Sequence, residues 1–394
     1  MKICLINNLY KPYDKGGAEK VTLTIARGLL NAGHEVLVIT AKPYFSKLPA
    51  GSGRDLDGLR VYYLNSLYFN LAKLPKLLRF FWHLWDMFNL LNYFKIKIIL
   101  EIQKPDAGIT NNLMGLGYLT GLALRKLKVK QLHIVHDIQL IHPSGILCFG
   151  EESKIDAYFS RNYAGLSSLI FGSPPVVIFP SRWLRDRYLD SIFFIKSKRI
   201  VLTNPVAFKP LAARKKDYDI FKFLYLGQIE KHKGVNLLVQ AFDKVRSAHP
   251  QSALIIAGDG SELETIKNEA KDGVNFLGRQ DEAQVAALLM SCDCLVIPTL
   301  CYENCPAAIL EAFSAGLPVI AADLGGASEL LGQDAGVLFR PGNAADLAKQ
   351  MQWAIAHPDE LAKLAEIGRA KAAASSVDNY IKELEELMKK IKYG

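Results

Sequence analysis

Short runs of apolar and β-branched residues alternate with helix-period segments along most of this chain. KICLIN, HEVLVIT, LRVYYLN, PDAGIT, QLHIVHD, PVVIFP and RIVLTNP read as strands over the first half. Helices are expected between them at 17–32, about 70–98, about 114–127 and about 153–171, with a short one after PVVIFP. Such alternation predicts parallel βαβ units. The pattern stops at NPVAFKPLAARKKDYD, residues 204–219, which has two prolines, a basic cluster and no apolar period, and so reads as a linker. IFKFLYLG, SALIIAG, VNFLG, DCLVIP, LPVIAAD and AGVLF then mark a second set of strands, and the chain ends in charged helices. The expected fold is α/β: two doubly wound, parallel-sheet, Rossmann-like domains facing across a cleft, 1–206 and 207–373. Open sheets of this kind bind ligands beyond the carboxyl ends of their strands. A length of 394 residues fits two domains with their own cores.

One helical stretch needs separate treatment. LPKLLRFFWHLWDMFNLLNYFKIKIIL is the most apolar run, but five charged residues interrupt it, so it is not a spanning helix. It is amphipathic. Arg79, His83, Asp86 and Asn89 fall on one side, and Leu77, Phe81, Leu84, Trp85 and Phe88 on the other. Packing of the apolar side on the first sheet is the ordinary outcome for a crossover helix. The alternative is a helix lying in a membrane interface, for which aromatics and basic flanks are suited.

Composition sharpens the division into halves. Residues 1–205 hold 27 Lys/Arg and 14 Asp/Glu, a net charge of +13, whereas residues 206–394 hold 21 and 25, a net of −4. Two domains with different partners are expected, and the basic half suits an anionic membrane surface or an acidic acceptor. Its cations are dispersed without interleaved aromatics, which argues against nucleic acid. The opening MKICLINNLY does not read as a signal peptide. Six cysteines over this length do not form a disulfide framework, and the expected location is cytoplasmic, with peripheral contact at the inner face of a membrane. Cys292, Cys294, Cys301 and Cys305 cluster, but their spacing fits no usual zinc knuckle, so small buried hydrophobes are expected there and no metal.

Candidate chemistry concentrates in CYENCPAAILEAFSAG, residues 301–316. Glu303 is expected in the loop after a buried strand, Pro306 in the first turn of a helix, and Glu311 more than a turn into it. N–H groups around 305–308, with the helix dipole behind them, form an anion pocket, and Ala307, Ala308 and Gly316 keep the surface low. Carboxylates beside an anion pocket suit a ligand that has both hydroxyls and phosphates. In FLYLGQIEKHKG, Lys233 precedes Gly234 where a helix begins, which suits a phosphate, although no Walker loop is present. The GDG at 258–260 reads only as a turn. In the first half, Gly16 and Gly17 lie between strand and helix and let backbone N–H groups approach a ligand. The G-x-G-x-x-G fingerprint is missing, so a nicotinamide dinucleotide is not supported. His136 and Asp137 end a strand at its carboxyl side, where a structural and a functional histidine are both admissible.

Together these segments resemble retaining glycosyltransferases of family 4, which have the GT-B fold. Glu303 and Glu311 in E-x7-E spacing, followed by AFSAGLPVIAADLGGASEL, carry most of the likeness. GQIEKHKG, the N-terminal GGAE, HD at 136–137, FPSRW and NPV fall in the family's order. The resemblance covers nearly the whole chain, strongly over 222–345 and thinly over 41–105. It implies a hexosyltransferase that takes a nucleotide sugar and needs no cofactor or metal. The acceptor would be a glycan or lipid-linked saccharide used in surface polysaccharide synthesis. Residues 1–206 would bind the acceptor and 207–373 the nucleotide sugar, with a C-terminal helix in 374–394 crossing back. Glu303 would contact the donor sugar, Glu311 the ribose, Asn304, Cys305, Pro306, Ala307 and Ala308 the diphosphate and sugar, and Lys233 the diphosphate. Gly16 and Gly17 would lie over the phosphates, His136 near the reacting centre, and Glu329 near the nucleotide. After Gly227 the family usually has an arginine, but this chain has Gln228, which halves the cationic clamp unless Lys231 or His232 replaces it. Two rivals stay open: a nucleotide-sugar epimerase on the same fold, and a non-catalytic partner subunit, for which Gln228 is the support.

Overall fold

The computed structural model describes residues 1–14, 16–46, 51–55, 58–207 and 220–391. Of the expected linker at 204–219, residues 208–219 lie outside this description. Contacts divide the chain into two units: Met1–Ile146, Ser153–Pro205 and the C-terminal segment from Val377 form one, and Leu147–Glu152 with Val206–Ser376 form the other.

The first unit is built on a sheet of β1 (Lys2–Ile6), β2 (Glu35–Lys42), β3 (Gly51–Arg54), β4 (Arg60–Asn65), β5 (Ala107–Thr110), β6 (Lys130–Ile134), β7 (Val176–Phe179) and β8 (Lys198–Val201). Their spatial order is β3-β4-β2-β1-β5-β6-β7-β8, parallel throughout except for the β3–β4 pair. Order reverses between β1 and β5, which makes that point the switch of a doubly wound sheet. Parallel strands covered on both faces read as unbroken apolar runs, and every residue of VVIF in β7 is buried. β3 has the sequence GSGR, with no apolar period, and is the strand that patterning does not show.

Three helices of this unit differ from expectation, of which the one expected at about 153–171 is divided into Ser153–Asp156 and Tyr158–Phe171. The stretch 70–98 is not one helix but a 3-10 segment Leu67–Lys73 and helices Lys76–Met87 and Leu90–Gln103. The break is fixed by two local hydrogen bonds of Asn89 and one long-range bond of Asp86. Asn89 Oδ1 accepts from the Asn92 N–H at 3.1 Å and caps the second helix, while Asn89 Nδ2 donates to Asp86 Oδ1 at 3.2 Å. Asp86 Oδ2 accepts from the Gly115 N–H at 2.6 Å. Burial pushes the Asp86 carboxyl up to about 7, against the pull of Gly115 and Asn89. The helix expected at 114–127 shortens to Thr120–Lys126, because Gly115 (φ +87°) and Gly117 (φ +96°) adopt left-handed backbone. A Cβ at Gly115 would lie 2.6 Å from Ser66 Oγ, and one at Gly117 2.7 Å from Asn89 Cβ.

Unlike the ordinary crossover helix, Lys76–Met87 turns much of its apolar side outward, although Trp82 and Met87 stay buried. Its polar residues Asp86 and Asn89 are buried, whereas Leu77, Phe81, Trp85 and Phe88 face water, Leu77 at 68% exposure. Leu91, Phe94, Ile98 and Ile102 of the next helix are exposed as well, at helical spacing.

The C-terminal helix Val377–Lys390 buries Tyr380, Ile381, Leu384, Leu387 and Met388 in the core of the first unit. It lies so close to helix Gly17–Asn31 that a Cβ on Gly28 would come within 2.7 Å of Val377. His34 Nε2 and Glu385 Oε1 are 2.7 Å apart across the same contact.

The second unit carries β9 (Phe221–Leu226), β10 (Ser252–Ala257), β11 (Val274–Gly278), β12 (Cys294–Ile297), β13 (Val319–Ala322) and β14 (Val337–Phe339). The order β11-β10-β9-β12-β13-β14 is wholly parallel and reverses between β9 and β12. Apolar clusters pack on both faces. Cys294 belongs to one and Cys292 to the other, so these two thiols act as small core residues.

Candidate functional site

The switch point of the second sheet brings together the loops that follow β9 and β12. The β9 loop runs through Gly227 and Gln228 to a 3-10 turn at Lys231–Lys233 and then helix Val235–Ala248. Lys233 therefore sits in the turn before the helix rather than at its first residue. Gly234 (φ +70°) makes the reversal, and its Cα packs so tightly that a Cβ would lie 2.1 Å from Pro298 O. That close approach explains a glycine there better than the turn alone does. The GDG turn has a comparable role, since a Cβ on Gly258 would stand 1.8 Å from Gly227 O and one on Gly260 2.3 Å from Ile229 O. Reading it as a turn only misses this packing.

Lys233 Nζ donates to Glu303 Oε1 at 2.5 Å. Both side chains are about one-fifth exposed, at 23% and 21%. Burial works against the Lys233 ammonium, but the Glu303 carboxylate outweighs it, and its pKa lies above the ordinary lysine value. Thr299 Oγ1 also donates to Glu303, at 3.3 Å. The two residues assigned separately to sugar and phosphate thus compensate each other's charge.

Glu303 and Asn304 lead to Cys305 and Pro306, which is the N-cap of helix Ala307–Ser314 and not its first residue. Pro306 offers this helix no side-chain cap, so the first-turn N–H groups of Ala307 and Ala308 suit a ligand at the strand end. Glu311 lies on this helix, half-buried. Glu329 is on the next short helix, Gly325–Leu331, which docks through the Gly326 N–H donated to Glu303 O at 2.6 Å. A Cβ on Gly326 would lie 2.0 Å from Asn304 O. The backbone beside Gln228 is also held, because Tyr225 Oη donates to Gln228 O at 2.6 Å. Burial and the adjacent Lys233 lower the pKa of His232, which leaves it a poor substitute for the missing arginine charge.

The remaining assigned residues follow β1 and β6 on the carboxyl side of the first sheet. His136 Nε2 donates to Asn111 Oδ1 at 2.9 Å, an assignment that follows from the amide oxygen being an acceptor. Burial pushes His136 down to about 4, so it is a neutral imidazole near neutral pH. Asp137 Oδ2 accepts from Asn112 Nδ2 at 2.9 Å and Oδ1 from the Gln139 N–H at 2.8 Å, and burial raises its carboxyl to about 6. These residues line one small cavity with Asn111, Asn112, His133 and Tyr188. The paired asparagines at the end of PDAGIT were visible at a strand's carboxyl end, and sequence reading passed over them. Gly16 is the N-cap and Gly17 the first residue of helix Gly17–Asn31. The Gly16 N–H donates to Glu19 Oε2 at 2.6 Å, so of the two glycines Gly16 already has an anionic partner within its own helix.

Both halves of the chain match glycosyltransferase family models. Residues 15–207 match the model of Glycosyltransferase Family 4, and residues 210–371 that of Glycosyl transferases group 1. An uncharacterized 42.6 kDa protein in the cps region of Klebsiella pneumoniae is 27% identical over 343 residues, covering 84% of this chain and 87% of that protein. A phosphatidyl-myo-inositol mannosyltransferase of Propionibacterium freudenreichii is 32% identical over 153 residues, only 38% of either chain. Among solved structures, sucrose-phosphate synthase from Thermosynechococcus elongatus superposes with a TM-score of 0.74 at 19% identity, over 99% of this chain and 98% of that one. Anabaena HepE in complex with UDP gives 0.72 at 20% identity, over 99% and 100%.

Proposed function

From the premise that this chain belongs to the group 1 and family 4 glycosyltransferases, we propose that it moves a hexosyl residue from a nucleotide sugar to a saccharide or lipid-linked acceptor, with retention of anomeric configuration. The observation that carries the reading is the Lys233–Glu303 pair at the β9–β12 switch point, beside the N-terminus of helix Ala307–Ser314. The UDP complexes of Anabaena HepE support a nucleotide-sugar donor, and the cps-region relative supports a polysaccharide setting.

The pair exchanges partners when donor binds. The diphosphate competes for Lys233 and takes its ammonium, together with the N–H groups of Ala307 and Ala308. Glu303 is then released to accept hydroxyls of the sugar, and Glu311 accepts those of the ribose. Glu303 thereby trades one hydrogen-bond donor for another, so its desolvation stays compensated. The bond from sugar to phosphate breaks with oxocarbenium character, and Lys233 and the helix N-terminus stabilise the departing diphosphate. Its oxygen takes the proton of the acceptor hydroxyl, which attacks from the same face. His136 contributes as a neutral hydrogen-bonding group. No cofactor or metal has a role in this reading. Its test is ligand-detected NMR with a panel of nucleotide sugars. One nucleotide class is expected to bind, and Glu311→Ala to weaken it at least tenfold, in line with loss of a charge-assisted hydrogen bond worth about 1.5–3 kcal/mol.

The acceptor reading includes a membrane. Leu77, Phe81, Trp85 and Phe88 form one exposed stripe, and Lys73, Lys95 and Lys104 are exposed nearby in the sequence. Among the described residues no helix is long and apolar enough to cross a membrane. An anionic bilayer matches both the apolar stripe and the +13 charge of residues 1–205. In vesicle sedimentation at low salt, binding to phosphatidylglycerol vesicles is expected. The double substitution Phe81→Ser and Trp85→Ser should reduce it by about tenfold or more, since each ring buries roughly 1.5–3 kcal/mol of apolar surface. Equal binding by this variant, or none by the unaltered protein, removes the membrane from the account.

A further inference from the structure

The loop that carries Glu303 is flanked by a second segment of the same unit. Leu147–Glu152 is counted with the second unit although its chain neighbours on both sides belong to the first. Within it, Cys148 faces Cys301 in an isolated antiparallel bridge. The hydrogen bonds lie on either side of the pair: the Phe149 N–H donates to Leu300 O and the Tyr302 N–H to Leu147 O, each at 2.8 Å. That arrangement defines a non-hydrogen-bonded antiparallel pair. In such pairs the Cα atoms approach to about 4.5 Å and the opposed side chains leave on the same face. Disulfides are accommodated from Cα separations of about 4.4 Å. Both residues are thiols in this structure, Cys301 buried and Cys148 half-buried. Cys301 Sγ lies 3.3 Å from Thr299 Oγ1 and 3.9 Å from Glu303 Oε1, the oxygen that Lys233 binds. A third tie, Tyr302 Oη to Glu152 Oε1 at 2.7 Å, holds the same two segments in register.

We propose that Cys148 and Cys301 are a site of reversible disulfide formation that controls the position of Glu303. The oxidant is a low-molecular-weight disulfide. The Cys148 thiolate, the more accessible of the two, attacks one sulfur of the oxidant, whose S–S bond breaks and releases a first thiol. Cys301 sulfur then attacks Cys148 sulfur in the mixed disulfide, gives up its proton, and releases a second thiol. Two protein thiols are oxidised to one disulfide and the small disulfide is reduced to two thiols. Burial, then the neighbouring Glu303, push the Cys301 thiol up to about 11, which leaves the first attack to Cys148. Bond formation draws Cys301 Sγ toward Cys148 and away from Thr299 and Glu303, so the contacts that aim the carboxylate change. This effect on donor binding rests on the glycosyltransferase reading given above, whereas the disulfide itself does not.

The test uses the full chain equilibrated with mixtures of oxidised and reduced glutathione, then alkylated, digested and analysed by mass spectrometry. The expected result is one linked peptide pair, Cys148 to Cys301, lacking two hydrogens and reversed by dithiothreitol. The other four of the six cysteines are expected to stay alkylated. Cys148→Ala and, separately, Cys301→Ala should each abolish the link. A stable glutathione adduct on Cys148, or alkylation of both residues at saturating oxidised glutathione, overturns the proposal. In a second arm, affinity for the nucleotide sugar is compared between the two redox states, and at least a threefold difference is expected that Cys148→Ala loses. A link with unchanged affinity overturns control of Glu303. Absence of donor binding in both states would instead count against the glycosyltransferase reading, and the linked peptide alone then decides the disulfide.

Discussion

Lys233→Ala is expected to lower turnover by about 10²–10³-fold, the scale seen when one preorganised charge-stabilising donor is removed from an active site. Two features set the size of the effect. With Gln228 after Gly227 and His232 shifted toward its neutral form, Lys233 carries most of the cationic share of diphosphate stabilisation, with Lys231 the other cation of the same turn. Its raised pKa keeps it charged throughout the neutral range, so no titration of Lys233 dilutes its contribution there. Stability should also fall, by about 1–3 kcal/mol, because the Glu303 carboxylate is only 21% exposed and loses its charged partner. Release of nucleoside diphosphate under steady-state conditions, with circular dichroism as the fold control, checks this. A loss of less than tenfold would mean that another group supports the leaving diphosphate.

Gly234→Ala is expected to destabilise the second unit by about 2–5 kcal/mol. A left-handed conformation costs an alanine about 1–2 kcal/mol. The new Cβ would also fall 2.1 Å from Pro298 O, and relieving that overlap requires backbone movement of the kind that costs about 1–3 kcal/mol in packed interiors. Because Gly234 joins the Lys233 turn to the strand that leads into the Glu303 loop, the loss of stability should come with loss of the Lys233–Glu303 contact. Gly17→Ala is the control. Its Cβ meets nothing within 4 Å, and it should stay within about 0.5 kcal/mol of the unaltered protein. Urea unfolding of both variants separates the cases, and equal midpoints would contradict the close-approach account of Gly234.

The parallel strands could be read from sequence because burial on both faces leaves unbroken apolar runs, as CLVI in β12 and VVIF in β7 show. Breaks between helices could not. Asn89 is a local N-cap signal that the apolar run masks, whereas the bond from Gly115 to Asp86 joins segments 29 residues apart and no local propensity encodes it. The amphipathic pattern of Lys76–Met87 showed two faces but not which one meets water, since that depends on the polar anchor that Gly115 offers Asp86. In the site, the positions of Glu303, Glu311 and the helix start followed from spacing within one short segment. The direct bond between Lys233 and Glu303 spans 70 residues and arises only when β9 and β12 become neighbours. The opposition of Cys148 and Cys301 is hidden for the same reason.

The burial of Glu303 and Glu311 is the central point, and nucleotide-sugar binding tests it most directly. In ligand-detected NMR with UDP-, GDP- and other nucleotide sugars, the protein is expected to select one nucleotide class, and Glu311→Ala to bind it at least tenfold more weakly. Binding that survives unchanged in Glu311→Ala, or no binding of any nucleotide sugar by the unaltered protein, would contradict the donor site described here.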